Sequence, residues 1–288
     1  MATSRRASLT VWSVTKTGTF HLVSGIAAIL FLFPLVWAVL NSLKSPTEAN
    51  AAPPTFLPQS LSLGNYKALN DYGAGLAAYA GNSLIVALIV VVGTVVLSVL
   101  AGYGFSRYNF KGKNLVFVSI LAILMVPYAT MLLPLYILLG VLGLQDSLIG
   151  LGLVLVMFQL PFSILIMRNS FDSVPKELEE AAYLDGCGPV GALRHVSLRI
   201  VTPGVVTVAL FAFLASWNEF LAPLIFLNSG DKFTLPLMLV NVRSGTFGQI
   251  DFGALQAGVV VAMVPCIVLY LVLQRYYANG LLNGALRG

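Results

Sequence analysis

Charged residues fall so unevenly along this 288-residue chain that the intervals between them mark out its elements. A helix crossing a bilayer needs about 20 largely apolar residues, and six intervals supply them. Lys16 and Lys44 bracket a first span over 21–41, Asp71 and Arg107 a second over about 82–105, and Lys113 and Asp146 a third over about 115–140. The third interval, 114–145, has room for one tilted helix but not two. Asp146 and Arg168 leave 147–168 for the fourth span. The fifth, about 201–226, is interrupted by Glu219, and the sixth, about 253–274, lies between Asp251 and Arg275. The pattern predicts an all-α membrane protein with six transmembrane helices, tails over 1–20 and 276–288, a long polar loop over 42–81 and a core over 78–275. Pro46, Pro53, Pro54 and Pro58 make that loop irregular, with a short helix near Tyr66. Pro34, Pro127, Pro134, Pro161, Pro203, Pro223 and Pro265 lie inside the six windows. Each removes a backbone donor, so the predicted bundle is one that bends.

Composition supports the membrane reading. Hydrophobic residues make up 58% of the chain and charged residues 9%, whereas soluble domains have about a quarter charged. The net charge of +5 comes without a basic cluster interleaved with aromatics, so no nucleic-acid partner is expected. It reads as topological charge. With the N-terminus inside, Arg5, Arg6, Lys16, Arg107, Lys111, Lys113, Arg168, Lys176, Arg194, Arg199, Arg275 and Arg287 fall on the inner side. Only Lys44, Lys67, Lys232 and Arg243 fall outside. This asymmetry predicts both termini in the cytoplasm. Arg5 and Arg6 lie too far from a small-residue cleavage site for a removed signal peptide. Cys187 and Cys266 sit at different depths without His or Cys neighbours, so neither a disulfide nor a metal site is expected. His21 and His195 stand in unrelated contexts, which leaves no catalytic constellation. Gly112-Lys113-Asn114 lacks the upstream glycine and the hydroxyl of a phosphate-binding loop, so the chain itself is not expected to hydrolyse ATP.

One polar segment, 173–198, stands between the fourth and fifth spans. Ser173 is placed to cap a helix, with Pro175 in the first turn. Glu177, Glu179 and Glu180 sit at the start, where the helix dipole favours them. Gly186 and Gly188 supply the stop, and Pro189 opens a second short helix. Leu178, Ala181, Ala182 and Asp185 recur at spacings of three and four, a face of small residues that another surface can approach closely. Two readings stand: an amphipathic helix lying on the lipid headgroups, or a docking element for a soluble partner.

The run Glu180-Ala181-Ala182, three residues, then Gly186, on an inner loop before the penultimate span, resembles the cytoplasmic motif of ATP-binding-cassette import permeases. Ser216-Trp217-Asn218-Glu219-Phe220, Pro223-Leu224, Asn82-Ser83, Tyr103-Gly104-Phe105-Ser106-Arg107 and the C-terminal Gln274-Arg275, Gly280-Leu281, Gly284-Ala285 and Arg287-Gly288 are similar to the carbohydrate-uptake branch, in particular the smaller six-span permease of maltose-type importers. The resemblance covers nearly the whole chain from about residue 20. It implies a type I importer permease fold in a bacterial cell membrane. It also implies that Glu180, Ala181, Ala182, Asp185 and Gly186 belong to a coupling helix seated on an ATPase. The implied partners are a second permease subunit of different sequence, a cytoplasmic ATP-binding-cassette ATPase dimer carrying ATP and Mg, and an extracytoplasmic substrate-binding protein. This chain itself would hold no cofactor. Arg199 stands where the family pattern has proline, with Pro203 four residues on.

Tyr128, Gln159, Asn218, Glu219 and Gln256 are the polar candidates for a substrate path, since uncharged hydrogen-bonding groups beside aromatics suit a polyhydroxylated ligand. An intramembrane amide also serves as an interhelical hydrogen bond. Glu219, the one acid in an apolar window, reads either as a carboxylate steadying the helix break before Pro223 or as a contact at the outer mouth. The expected function is one half of a sugar or oligosaccharide pathway driven by separate ATPase subunits. The alternative is an ion-coupled transporter or channel acting alone, which would normally use several intramembrane charges.

Overall fold

The computed structural model describes residues 3–244 and 250–285, with side chains described for 19–243 and 250–273. The side chains of Arg5, Arg6 and Lys16, and the C-terminal features at Gln274, Arg275, Gly280, Leu281, Gly284, Ala285, Arg287 and Gly288, lie outside that description. Every regular element among the described residues is helical. Four helices are long and apolar enough to cross a membrane: Thr19–Ser42 within α1 (Thr3–Ser42), α4 (Leu76–Arg107), α7 (Leu148–Asp172) and Phe252–Leu273 within α14 (Phe252–Ala285). Two bent pairs raise the number of candidate spans to as many as six. Lys113–Met125 and Tyr128–Val141 meet at 104°, and Pro189–Ile200 and Thr202–Trp217 at 78°.

The first bend corrects the expectation of one tilted helix over 115–140. After α5 (Lys113–Ala122) and one tight turn, the chain leaves helical geometry at Val126 (φ −80°, ψ 127°) and restarts as α6 (Tyr128–Val141) behind Pro127. Proline lacks the amide that would continue the ladder, and its ring pushes the preceding residue out of the α region. Pro34, Pro134, Pro161 and Pro265, by contrast, lie inside continuous helices.

The helices fall into two compact units. One contains α1, the loop that follows it with α2 (Pro46–Ala49) and most of α3 (Gly64–Asn70), and the first turns of α14. Here the buried Asn65 amide donates to the carbonyls of Ser42 at 3.1 Å and Lys44 at 2.8 Å, closing the end of α1. Lys44 is buried, its ammonium bonded to the Thr55 carbonyl at 2.5 Å and 5.0 Å from the centre of the Trp37 ring. Asn50 fixes the start of α14, donating to Asp251 and accepting from the Phe252 amide.

The other unit is built on α4 and α7. Between lipid-soluble helices the driving force is close packing rather than exclusion of water, and small residues permit it. Gly93 faces Val156 and Gly152 faces Ile89, while Gly102 lies against the backbone of Met167 and Arg168, where an added Cβ would come within 2.9 Å. α11 (Thr202–Trp217) lies along both helices, with Gly204 against Ser170. One apolar cluster joins Val86, Val90, Leu132, Leu155, Ala222 and Phe226; another joins Val99, Tyr103, Met167, Phe171 and Val208.

Candidate functional site

α8 (Lys176–Leu184) is the polar helix after α7. Ser173 does not cap it. Its φ of −78° and ψ of −13° are helical rather than extended, and its hydroxyl donates back to the Ser170 carbonyl at 2.7 Å, so it closes α7. Pro175 precedes α8 without any side-chain cap. At the other end Gly186, at φ 87°, completes a left-handed stop. Its amide reaches the Tyr183 carbonyl at 3.0 Å and that of Cys187 reaches Ala182 at 2.9 Å. Pro189 then opens α9 (Pro189–Ala192).

Burial divides the acidic run. Glu180, Ala181, Asp185 and Gly186 are exposed, together with Leu178, while Glu179 is 4% exposed and Ala182, one turn on, is also buried. The small-residue face inferred from spacing is therefore split, with Ala182 inward and the rest outward. Leu184 is 91% exposed and Val190 77%, which leaves two bare apolar side chains at the tip of the segment.

Glu179 is the hub of a buried network. Its Oε1 accepts from Arg107 Nε at 2.8 Å and from the Ser197 hydroxyl, and its Oε2 accepts from the Tyr103 hydroxyl at 3.1 Å. Arg107 also donates to the Val174 carbonyl at 3.0 Å. Beside it, Ser106 donates to Asp172 at 2.6 Å. Tyr103 and Arg107 share a face because four residues separate them on α4. Ser197 is delivered by a π turn, Leu193–Ser197, just before α10 (Leu198–Ile200) and the 78° bend into α11. Burial alone would raise the Glu179 carboxyl. The Ser197 hydroxyl and the Arg107 guanidinium outweigh that and hold it below the ordinary carboxylate range. Removing one partner of such a buried pair costs about 3–5 kcal/mol. Sequence reasoning selected Glu180 and passed over Glu179, Tyr103, Arg107 and Ser197 as site residues. An acid on the same helical face as buried Ala182 was the available signal, since a buried acid demands a partner. Arg199 is exposed on α10, and Pro203 falls in the first turn of α11, where its missing amide costs no bond.

At the opposite end of α7, Asp146 (φ 49°) receives the Asn228 and Ser229 amides at 2.9 and 3.1 Å, the Ser229 hydroxyl at 2.5 Å and the Lys232 ammonium at 2.8 Å. Asn82 donates to the carbonyls of Asp231 and Phe233, and Ser83 receives the Leu235 amide. The stretch 228–235 is thus pinned to the early turns of α4 and to Asp146, ahead of α7.

The polar path candidates separate. Tyr128, half-buried at the start of α6, packs edge-on against Phe158 at 4.7 Å, and its hydroxyl is buried without a hydrogen-bond partner. Glu219 is the charged group facing that hydroxyl. Its Oε1 accepts the Ala222 amide at 2.9 Å and so starts α12 (Leu221–Phe226). Asn218 is exposed and donates to the Leu214 carbonyl of its own helix at 2.8 Å. Gln159 is half-buried on α7, and Gln256, also half-buried, belongs to the other unit. Tyr128 and Glu219 are brought together, whereas Asn218 bonds back onto its own helix. No group of three or more His, Cys, Asp or Glu among the described residues could hold a metal ion.

Residues 94–282 match the model of the binding-protein-dependent transport system inner membrane component family. The chain is 33% identical to the arabinooligosaccharides transport system permease protein AraQ of Halalkalibacterium halodurans, over 93% of this chain and 96% of that one. It is likewise 33% identical to the trehalose/maltose transport system permease protein MalG of Thermococcus litoralis, over 91% and 93%. Among solved structures, a bacterial ABC transporter involved in import of the acidic polysaccharide alginate superposes with a TM-score of 0.78 at 20% identity, covering 94% of this chain and 98% of that one. That likeness establishes an importer-permease fold.

Proposed function

Because the chain belongs to the family of binding-protein-dependent transport system inner membrane components, we propose that it forms half of the translocation pathway of an ATP-driven importer for a sugar or oligosaccharide. The names of its relatives support that substrate class, and the uneven distribution of Lys and Arg supports cytoplasmic termini. The other half is a second permease of different sequence. ATP and Mg sit on a cytoplasmic ATPase dimer, and an extracytoplasmic binding protein delivers the sugar.

The single observation that carries the reading is α8. It is a short helix bonded on its inner side through Glu179, with Glu180, Ala181, Asp185 and Gly186 outward and Leu184 and Val190 bare at its tip. Exposed apolar side chains rimmed by acids suit a protein groove rather than solvent. In the proposed cycle the ATPase dimer closes on ATP and displaces α8, and the helices bent at Pro127 and Val201 reorient the pathway outward. After the sugar enters, hydrolysis on the ATPase restores the inward state. Tyr128, at the break of the third span, and Glu219, between α11 and α12, are the polar groups offered to hydroxyls in transit. Gln159, Asn218 and Gln256 are weaker candidates for the path.

The test is reconstitution. Copurification in mild detergent should retain an ATPase and a second permease, and proteoliposomes carrying the full complex should accumulate sugar only with ATP inside. Uptake by this polypeptide alone would favour an ion-coupled carrier and sink the importer reading. Glu180→Lys should abolish uptake while membrane insertion is unchanged, as judged by protein level in the membrane fraction.

A further inference from the structure

α8 is joined to α7 through Ser173, Val174 and Pro175 and to α9 through Asp185–Gly188, both non-helical stretches, so no continuous helix ties it to a span. Pro175 donates no backbone bond, and Gly186 holds a left-handed φ of 87°. Side-chain ties of this nine-residue helix to other elements run through Glu179. Its carboxylate takes three donors from two other elements, Tyr103 and Arg107 on the end of α4 and Ser197 on the π turn below α11. Arg107 then closes the circuit on the carbonyl of Val174, within the joint between α7 and α8. Both charged partners are nearly sealed from solvent, with side-chain exposures of 8% and 5%. Little water is therefore available to exchange with the bonds.

We propose that Glu179 is a positioning residue for energy transfer: it makes α8 move as one body with the end of α4 and the π turn entering α11, so that a displacement imposed on α8 reaches two spans. The inference rests on the reading of α8 as the ATPase-docking element and deepens it. The outward residues Glu180, Asp185 and Leu184 receive the partner. Glu179 faces the other way and decides whether the force is transmitted. Its loss leaves the docking surface intact, so ATP hydrolysis continues while transport does not follow.

The experiment uses the whole complex in proteoliposomes, with Cys187 and Cys266 replaced by serine. Spin labels at Lys176→Cys and Lys111→Cys, both exposed, report the distance between α8 and the turn that follows α4, without nucleotide and with ATP and vanadate. Sugar accumulated per ATP hydrolysed is measured with whichever of maltose, trehalose or an arabinooligosaccharide the wild type accumulates. In the wild type the distance should stay narrow and independent of nucleotide. In Glu179→Gln it should broaden and shift with nucleotide, and sugar per ATP should fall about tenfold, the scale of a typical coupling between two sites. A merely structural ion pair would lower the yield of complex without changing that ratio. Should Glu179→Gln fail to assemble, Ser197→Ala, which keeps the ion pair, should show a smaller broadening. The Glu179→Arg with Arg107→Glu exchange should recover part of the ratio. An unchanged distance distribution and ratio in both Glu179→Gln and Ser197→Ala would overturn the inference, as would a wild-type distance that itself moves with nucleotide. A wild-type preparation that retains no ATPase would instead overturn the underlying importer reading, and this inference with it.

Discussion

At Asp146 a carboxylate on a backbone bent to φ 49° gathers Lys232, the Ser229 hydroxyl and two amides, tying the loop before α7 to the stretch after α12. Lys232 first, then Ser229, holds its carboxyl well below the usual carboxylate range. A depressed folded-state pKa contributes stability above the unfolded value of about 3.9 and loses it as the pH falls through the lowered value. Asp146→Asn should therefore lower the thermal midpoint of the detergent-solubilised protein at neutral pH. The gap from wild type should stay constant down to about pH 4 and narrow below it, as thermal scans at several pH values would show. Glu179 obeys the same sign, since its carboxyl is also depressed. The two neighbouring acids of α8 also show how far residues can be read from sequence. Glu180 could be selected because its motif is local. The role of Glu179 depends on Arg107, 72 residues earlier in the chain, and on Ser197 across a π turn, and no spacing rule connects them.

Helices α4 and α7 approach closely because Gly102 offers no side chain where Met167 and Arg168 pass. An added methyl there meets backbone, which cannot rotate away. Gly102→Ala should cost about 1–3 kcal/mol by overpacking, measurable as a lower apparent midpoint in detergent, whereas Gly104→Ala, with open space around it, should be close to neutral. Gly186→Ala instead strains a left-handed residue by about 1–2 kcal/mol and should fray the end of α8, reducing uptake more than protein level. The charge intervals 21–41, 82–105 and 147–168 fall within or beside helices long and apolar enough to cross a membrane, because a bilayer excludes charge wherever the helix runs. They could not register the turn at Pro127, since a break costs no change in composition. Nor could they place the end of α7 at Ser173, because a serine two residues before a proline also satisfies the pattern of a cap for the helix that follows. Which of seven prolines bends its helix was equally hidden. Pro134 and Pro161 sit in continuous helices, while Pro127 follows a residue already extended.

For the molecule as a whole, the importer reading predicts a specific neighbour. Leu184→Cys, in a background without Cys187 and Cys266, should crosslink to a copurifying ATPase and not to lipid-facing subunits, as a shifted band on a denaturing gel identified by mass spectrometry would show. The family and fold were legible because the Glu180–Gly186 motif and the apolar intervals are both local in sequence. The turn within the third candidate span carries a further consequence, for biogenesis. α5 and α6 extend only about 15 and 21 Å at 1.5 Å per residue, each short of a hydrocarbon layer about 30 Å thick. Neither half can be released into lipid as a finished crossing. α5 lies against Phe105 and Ile164 and α6 against Ala222 and Phe226, so three of these four supports are synthesised after the segment they hold. A nascent chain halted before Leu148 should therefore keep residues 113–141 waiting at the insertion machinery, and the third crossing should settle only once α7 and α12 have emerged.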